Sequence, residues 1–159
     1  MYTWNKTIGI FWDYENVPLR HKDYSGFLDA LVNYYNAHTI AYAKIYARDR
    51  TMSDRDYELI EERHIFQFKF VEHNDKNAVD YVMMQSCLDV LRNKEEINHV
   101  LLLTGDGDFS DLADDLLDWK VTITLICQQQ NVSSELLEYI NKAYSVNLIA
   151  QNSSNWWLY

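Results

Sequence analysis

Short apolar runs alternate along this chain with longer stretches whose apolar residues recur at helical spacing. The runs at 7–13, 39–47, 66–72, 100–104 and 121–127 predict strands. The stretches at 24–37, 53–63, 77–93, 109–119 and 133–143 predict helices. Cap chemistry supports two of the helix starts. Ser53 stands three residues before Asp56, and Ser133 stands ahead of Glu135. The third run alternates, with Phe66, Phe68 and Phe70 on one side and Gln67, Lys69 and Val71 on the other, as at an edge or near-edge strand.

Strictly alternating strands and helices predict an α/β fold, a three-layer α/β/α sandwich around a mostly parallel five-stranded sheet. Right-handed crossovers leave two common strand orders, 3-2-1-4-5 and 2-1-3-4-5. Two acidic turns choose between them. The first strand ends at Asp13, and the fourth runs into Thr104-Gly105-Asp106-Gly107-Asp108-Phe109. Ligands bind beyond the carboxyl ends of such sheets, where the strand order reverses. Only the order 3-2-1-4-5 puts that crevice between the first and fourth strands. The two glycines are expected to let the second turn bend.

Composition narrows the setting. The chain has 159 residues, 48% apolar and 24% charged, enough for one domain over 1–159 with a core from about 7 to 145. One proline and four glycines give no sign of a linker. No signal-peptide pattern opens the chain, and no apolar stretch approaches the ~20 residues of a membrane span. Cys87 and Cys127 lack pairing or metal-ligand spacing and read as buried hydrophobes in a reducing compartment, so a cytoplasmic location is expected. A net charge of −10 argues against a general nucleic-acid coat protein, but leaves room for an enzyme using metal ions and a few local cations. Trp156 and Trp157 in the tail 146–159 are expected to dock, on this domain or on a second copy in a homodimer.

The chemistry centres on carboxylates. Asp13, Asp106 and Asp108 should meet in the crevice, and Asp80 enters it from the first turn of the third helix. Four such groups repel one another unless a cation is bound. All-oxygen ligation suits Mg²⁺ or Mn²⁺ rather than zinc, and such ions serve phosphodiester hydrolysis. Asn16, on the Asp13 loop, has an amide able to hold a metal-bound water or a phosphate oxygen. Arg20, Lys22, Arg48, Arg50, Arg55 and Lys76 follow the first three strands and are expected at the same sheet edge. Of these, Arg20, Arg48, Arg50 and Lys76 are the candidate substrate contacts. Tyr14 is the candidate base-stacking ring, the other tyrosines being assigned to packing. His21 and His73 read as incidental loop residues. Asp111, Asp114, Asp115 and Asp118 read as structural, and Asp89 faces away from Asp80.

Three motifs in order carry a resemblance. Ile10-Phe11-Trp12-Asp13-Tyr14-Glu15-Asn16 resembles the opening strand and Asp-x-x-Asn signature of the NYN domain, a branch of the PIN-like nuclease superfamily. Lys76-Asn77-Ala78-Val79-Asp80 resembles its central helix entry, and Thr104 to Phe109 resembles its Ser/Thr-Gly-Asp-x-Asp-Phe signature. The match spans about residues 7 to 145. It implies a PIN-like sandwich, Mg²⁺ or Mn²⁺ dependence and RNA cleavage, with Asp13, Asp80, Asp106 and Asp108 as the acidic set and Asn16 beside it. Six residues after the helix Asp, where many members carry another acid, this chain has Ser86. The leading expectation is a metal-dependent endoribonuclease. The alternative is an RNA-binding or regulatory module that keeps the pocket without turnover. A different Mg²⁺ enzyme, a phosphatase or nucleotidyl-transfer enzyme, fits the Asp-x-Asp pair alone but is disfavoured by the other two motifs.

Overall fold

Strand β1 (Thr7–Asp13) is buried from Ile8 onward, which a strand achieves only at the centre of a sheet covered on both faces. The computed structural model describes residues 5–35, 38–72, 76–128, 132–146 and 149. Its elements follow β1 in the order α1 (Tyr24–Tyr35), β2 (Thr39–Arg48), α2 (Asp54–Glu61), β3 (Gln67–Val71), α3 (Lys76–Asn93) and β4 (His99–Leu103). Then come α4 (Ser110–Asp118), β5 (Thr122–Cys127), α5 (Ser134–Leu137) and β6 (Lys142–Ser145). The sheet has six strands in the order β3-β2-β1-β4-β5-β6. All five pairings are parallel. β1 and β4 are therefore neighbours at the reversal point, and β3 is an edge strand, as the alternation in its sequence predicts.

The sixth strand is an addition to the five expected. Residues 133–143 do not form one helix. They give the single turn α5 and then β6, which starts where Asn141 exchanges backbone and side-chain hydrogen bonds with Ile123 on β5 (3.1 and 2.9 Å). Ala143 and Tyr144, adjacent in β6, bury into opposite cores, an arrangement a strand makes and a helix does not.

Alternation along β1 divides the core in two. Ile8, Ile10 and Trp12 face the α1–α2 layer, with Phe27, Leu28 and Ile60. Phe11 faces the α3–α4 layer, with Val79, Met83, Leu112 and Leu116. Trp12 is fully buried, and its ring meets Phe27 and Phe66 edge-on at 5.4 and 5.6 Å. Each such buried side chain contributes about 1.5–3 kcal/mol through removal of apolar surface from water. Trp12 also reaches forward: its indole N–H donates to the Val17 carbonyl at 3.0 Å, which ties the loop after β1 to the core. The cap at Ser53 forms as expected, with its hydroxyl accepting from the Asp56 amide at 3.2 Å. Ser133 occupies an N-cap position but makes no side-chain cap bond. Cys87 and Cys127 are free and buried, as expected.

Candidate metal centre

Asp13 ends β1 on the face shared with Phe11, because side chains alternate along a strand. Its chain then turns sharply, with the Asn16 and Val17 amides both donating to the Asp13 carbonyl at 3.2 and 3.0 Å. That turn brings the Asn16 carboxamide oxygen to the Gly105 amide of the β4 loop at 2.7 Å. The oxygen of the amide expected to hold a water or a phosphate oxygen is thus engaged, which leaves its NH₂ group for a ligand. The residue acts as a clasp between the two acidic loops.

The β4 loop is organised by its own side chains. Thr104, fully buried, accepts from the Asp106 amide at 3.3 Å and makes a long contact of 3.4 Å to an Asp13 carboxylate oxygen. Asp106 caps the 3₁₀ turn Gly107–Phe109, accepting from the Asp108 amide at 2.9 Å. No glycine among the described residues has a positive φ, so conformational freedom is not what the turn asks of its glycines. Gly107 is instead needed for close approach. A Cβ there would stand 2.7 Å from the Ser133 hydroxyl, and the Ser133 amide donates to the Gly105 carbonyl at 2.9 Å.

Asp80 arrives from the first turns of α3. One carboxylate oxygen from each of Asp80, Asp106 and Asp108 can be chosen so that all lie within 4.8 Å of one another. Asp80 is 3% exposed and Asp13 1%, whereas Asp106 is half-buried and Asp108 exposed, so the centre has a buried floor and an open mouth. Neither Asp80 oxygen receives a bond from an N–H or O–H donor. Its neighbours in reach, Asp13 and Asp106, are themselves carboxylates, so a hydrogen bond to either requires a shared proton. Burial, followed by the charges of Asp13 and Asp106, pushes the Asp80 carboxyl up to about 8. An all-oxygen donor set with a buried floor and an open mouth fits a hard divalent cation. Asp80, Asp106 and Asp108 could hold one, with Asp13 behind them.

The candidate cations divide. Arg48 is clamped on Glu15 at 2.7 Å, so Glu15 is a paired, half-buried group rather than a solvated one. Arg20 pairs with Asp23 at 3.1 Å. Arg50, Lys22 and Arg55 are exposed, and Lys76 opens α3. His21 is held by Asp56 at 2.7 Å. Tyr14 does not offer its ring for stacking. It is 7% exposed, packs beside Trp12 and points its hydroxyl to Asp56, because the β1 loop folds inward onto the core. Asp89 lies on α3, and Asp111, Asp114, Asp115 and Asp118 lie on α4, outside the group of acids that approach one another. His73, Trp156 and Trp157 lie outside the described residues.

The sequence reading missed the surroundings of Ser86. Its hydroxyl bonds to those of Tyr46 (2.5 Å) and Tyr42 (3.2 Å), on a face of α3 turned from the acids. Strand alternation is the signal that could have found them, because it puts Tyr42, Lys44 and Tyr46 on one side of β2.

The NYN domain family model matches residues 7–147. No curated protein matches the chain significantly. Among solved structures, the crystal structure of a protein of unknown function from Vibrio parahaemolyticus aligns over 99% of each chain, with a TM-score of 0.70 and 15% identity, a likeness of fold alone.

Proposed function

This chain belongs to the NYN domain family, a group of PIN-like, nuclease-type domains, and we propose that it is a metal-dependent endoribonuclease acting at the Asp13, Asp80, Asp106 and Asp108 centre. The observation that carries this reading is Asp80, a buried carboxylate with no donor on either oxygen and two further carboxylates beside it. Mg²⁺ or Mn²⁺, when bound, supplies a hydroxide-like water at neutral pH and stabilises charge on the phosphate and leaving oxygens.

The chain's own residues prepare that chemistry. Burial and the neighbouring acids favour the protonated form of Asp80, and Asp80, Asp106 and Asp108 would hold a cation through their carboxylate oxygens. Asp106 and Asp108, at the open mouth, are the acids a phosphodiester meets first. The Asn16 NH₂ group, left free of its clasp on Gly105, is the donor positioned to orient a phosphate oxygen or the attacking water. Arg50, exposed, is the substrate contact retained from the candidate set, while Arg20 and Arg48 already hold carboxylates and the Lys76 side chain lies outside the described residues.

The test is cleavage of single-stranded and structured RNA with Mg²⁺ or Mn²⁺. Asp106→Asn is expected to lower the rate on the order of 100-fold or more, and EDTA to abolish it. Equal cleavage by the variant, or in EDTA, overturns the proposal. Ser86 favours a second reading, an RNA-binding module without turnover, since the acid found there in many relatives is replaced by a hydroxyl engaged with two tyrosines. That reading expects RNA binding and no cleavage with any divalent metal.

A further inference from the structure

An open cleft of about 600 Å³ runs along the outer side of α3, where β2 and β3 extend beyond the helix. α3 packs on β1 and β2. On β3, the face towards α3 carries Gln67 and Lys69, both exposed, whereas the opposite face is partly covered as Tyr57 of α2 meets Phe68 at 4.5 Å. Tyr42, Lys44, Tyr46 and Lys69 form the floor, since Tyr46 pairs with Lys69 in register and Tyr42, Lys44 and Tyr46 alternate onto one side. Tyr81 and Lys94 stand at the two ends of the α3 wall.

The charge of this cleft opposes that of the chain. Three lysines line it in a protein of net charge −10, and among the described residues none of the three is in an ion pair. The Lys44 ammonium lies 5.3 Å from the centre of the Tyr42 ring. The one carboxylate in the lining, Asp89, has Arg92 at 3.9 Å. Tyr81 is 63% exposed, an aromatic ring left standing in water. The cleft neighbours the acid centre in chain and sheet. Tyr81 follows Asp80 directly, and Tyr46 is the register partner of Asp13.

We propose that this cleft is the track for single-stranded RNA leading to the acid centre, with Lys44, Lys69 and Lys94 on the phosphates and Tyr81 stacking an unpaired base. The assignment of RNA rests on the proposed nuclease reading; the chemistry of the cleft itself asks for a flexible polyanion with aromatic faces. Ordered stacking on Tyr81 needs an unpaired base, which a duplex does not offer along its length. From Tyr81 to Asn93 the α3 wall is about 18 Å long, room for about five stacked nucleotides.

The experiment measures binding of a fluorescein-labelled oligouridine 12-mer to the full chain in EDTA, where cleavage does not intervene. Lys44→Glu with Lys69→Glu is expected to weaken binding about tenfold and to lower the slope of log affinity against log salt by about 1.4, or about 0.7 per lost phosphate contact. Tyr81→Ala, at an exposed helix position, is expected to weaken it at least about fivefold, with no change for an RNA duplex of equal length. Lys120→Glu, a single charge reversal beyond α4, is expected to stay within about twofold of wild type. Equal binding by the double variant, an equal loss in Lys120→Glu, or no binding by the wild type overturns the track. Thermal unfolding of Lys69→Glu and Tyr81→Ala alone separates lost binding from lost folding. Lysine-dependent binding without cleavage would keep the track and remove the nuclease reading. Unchanged cleavage and binding by the double variant would do the reverse.

Discussion

The acid centre and the lysine cleft adjoin on one face of the sheet, yet they manage charge in opposite ways. The centre gathers like charges on a buried floor and leaves Asp80 without a donor. The cleft spreads its lysines over β2, β3 and the end of α3, Lys69 exposed and Lys44 and Lys94 half-buried, clear of carboxylate partners among the described residues. Concentrating carboxylates costs stability unless a cation or protons offset the repulsion, whereas exposed lysines cost almost nothing. A net charge of −10 therefore describes neither region. What matters for a phosphate chain is that the repulsive centre has an attractive approach beside it.

Asp80→Asn tests the centre's side of that comparison hardest. It is expected to lower RNA cleavage on the order of 100-fold or more while raising the stability of the metal-free protein by at least about 1 kcal/mol, or about 2–4 °C in Tm. The pH dependence has a definite sign. Asp80 keeps its proton to about pH 8 when folded and loses it near the ordinary value of 3.8 when unfolded. The folded chain thus binds more protons between those values, and its contribution to stability is complete below about pH 4 and lost as pH rises through about 8. Urea unfolding in EDTA across this window should show the slope in wild type and flatten it in Asp80→Asn. An equal slope in both would place the buried proton elsewhere.

Gly107→Ala probes the support rather than the charge. Its new methyl meets Ser133, and displacement of the Asp106–Asp108 turn is expected to cost about 1 kcal/mol and several-fold in cleavage. Arg48→Gln is the smallest effect. Because the guanidinium already holds Glu15, oligouridine binding is expected to change less than about twofold, against the larger loss from the paired Lys44 and Lys69 reversals. A loss as large as theirs would erase the distinction between engaged and available cations.

The order of the central strands and the approach of Asp80, Asp106 and Asp108 were legible because each rests on local pattern. Apolar runs, acidic turns and a reversal point suffice to place Asp13 beside Asp106. The β6 strand was not legible, since 133–143 has helical spacing and its strand is specified by distant partners on β5. The fates of Arg48 and Tyr14 depend on Glu15 and Asp56, contacts that no periodicity encodes. Lys44 and Lys69 could have been found. A lysine on a strand face that a helix was assumed to cover is a sign that the helix stops short of it.

The clasp from Asn16 to Gly105 joins residues 89 positions apart. Its consequence lies in the order of assembly. β1 emerges from the ribosome ahead of the other strands but occupies the middle of the sheet, and its partner β4 follows only after α1, β2, α2, β3 and α3. At about 5–20 residues per second, the interval is on the order of 5–20 s. Through that time Asp13 is present without Asp106 or Asp108, so a nascent chain cannot hold a complete centre. The long loop that must close to build the site also delays its birth until most of the surrounding fold exists.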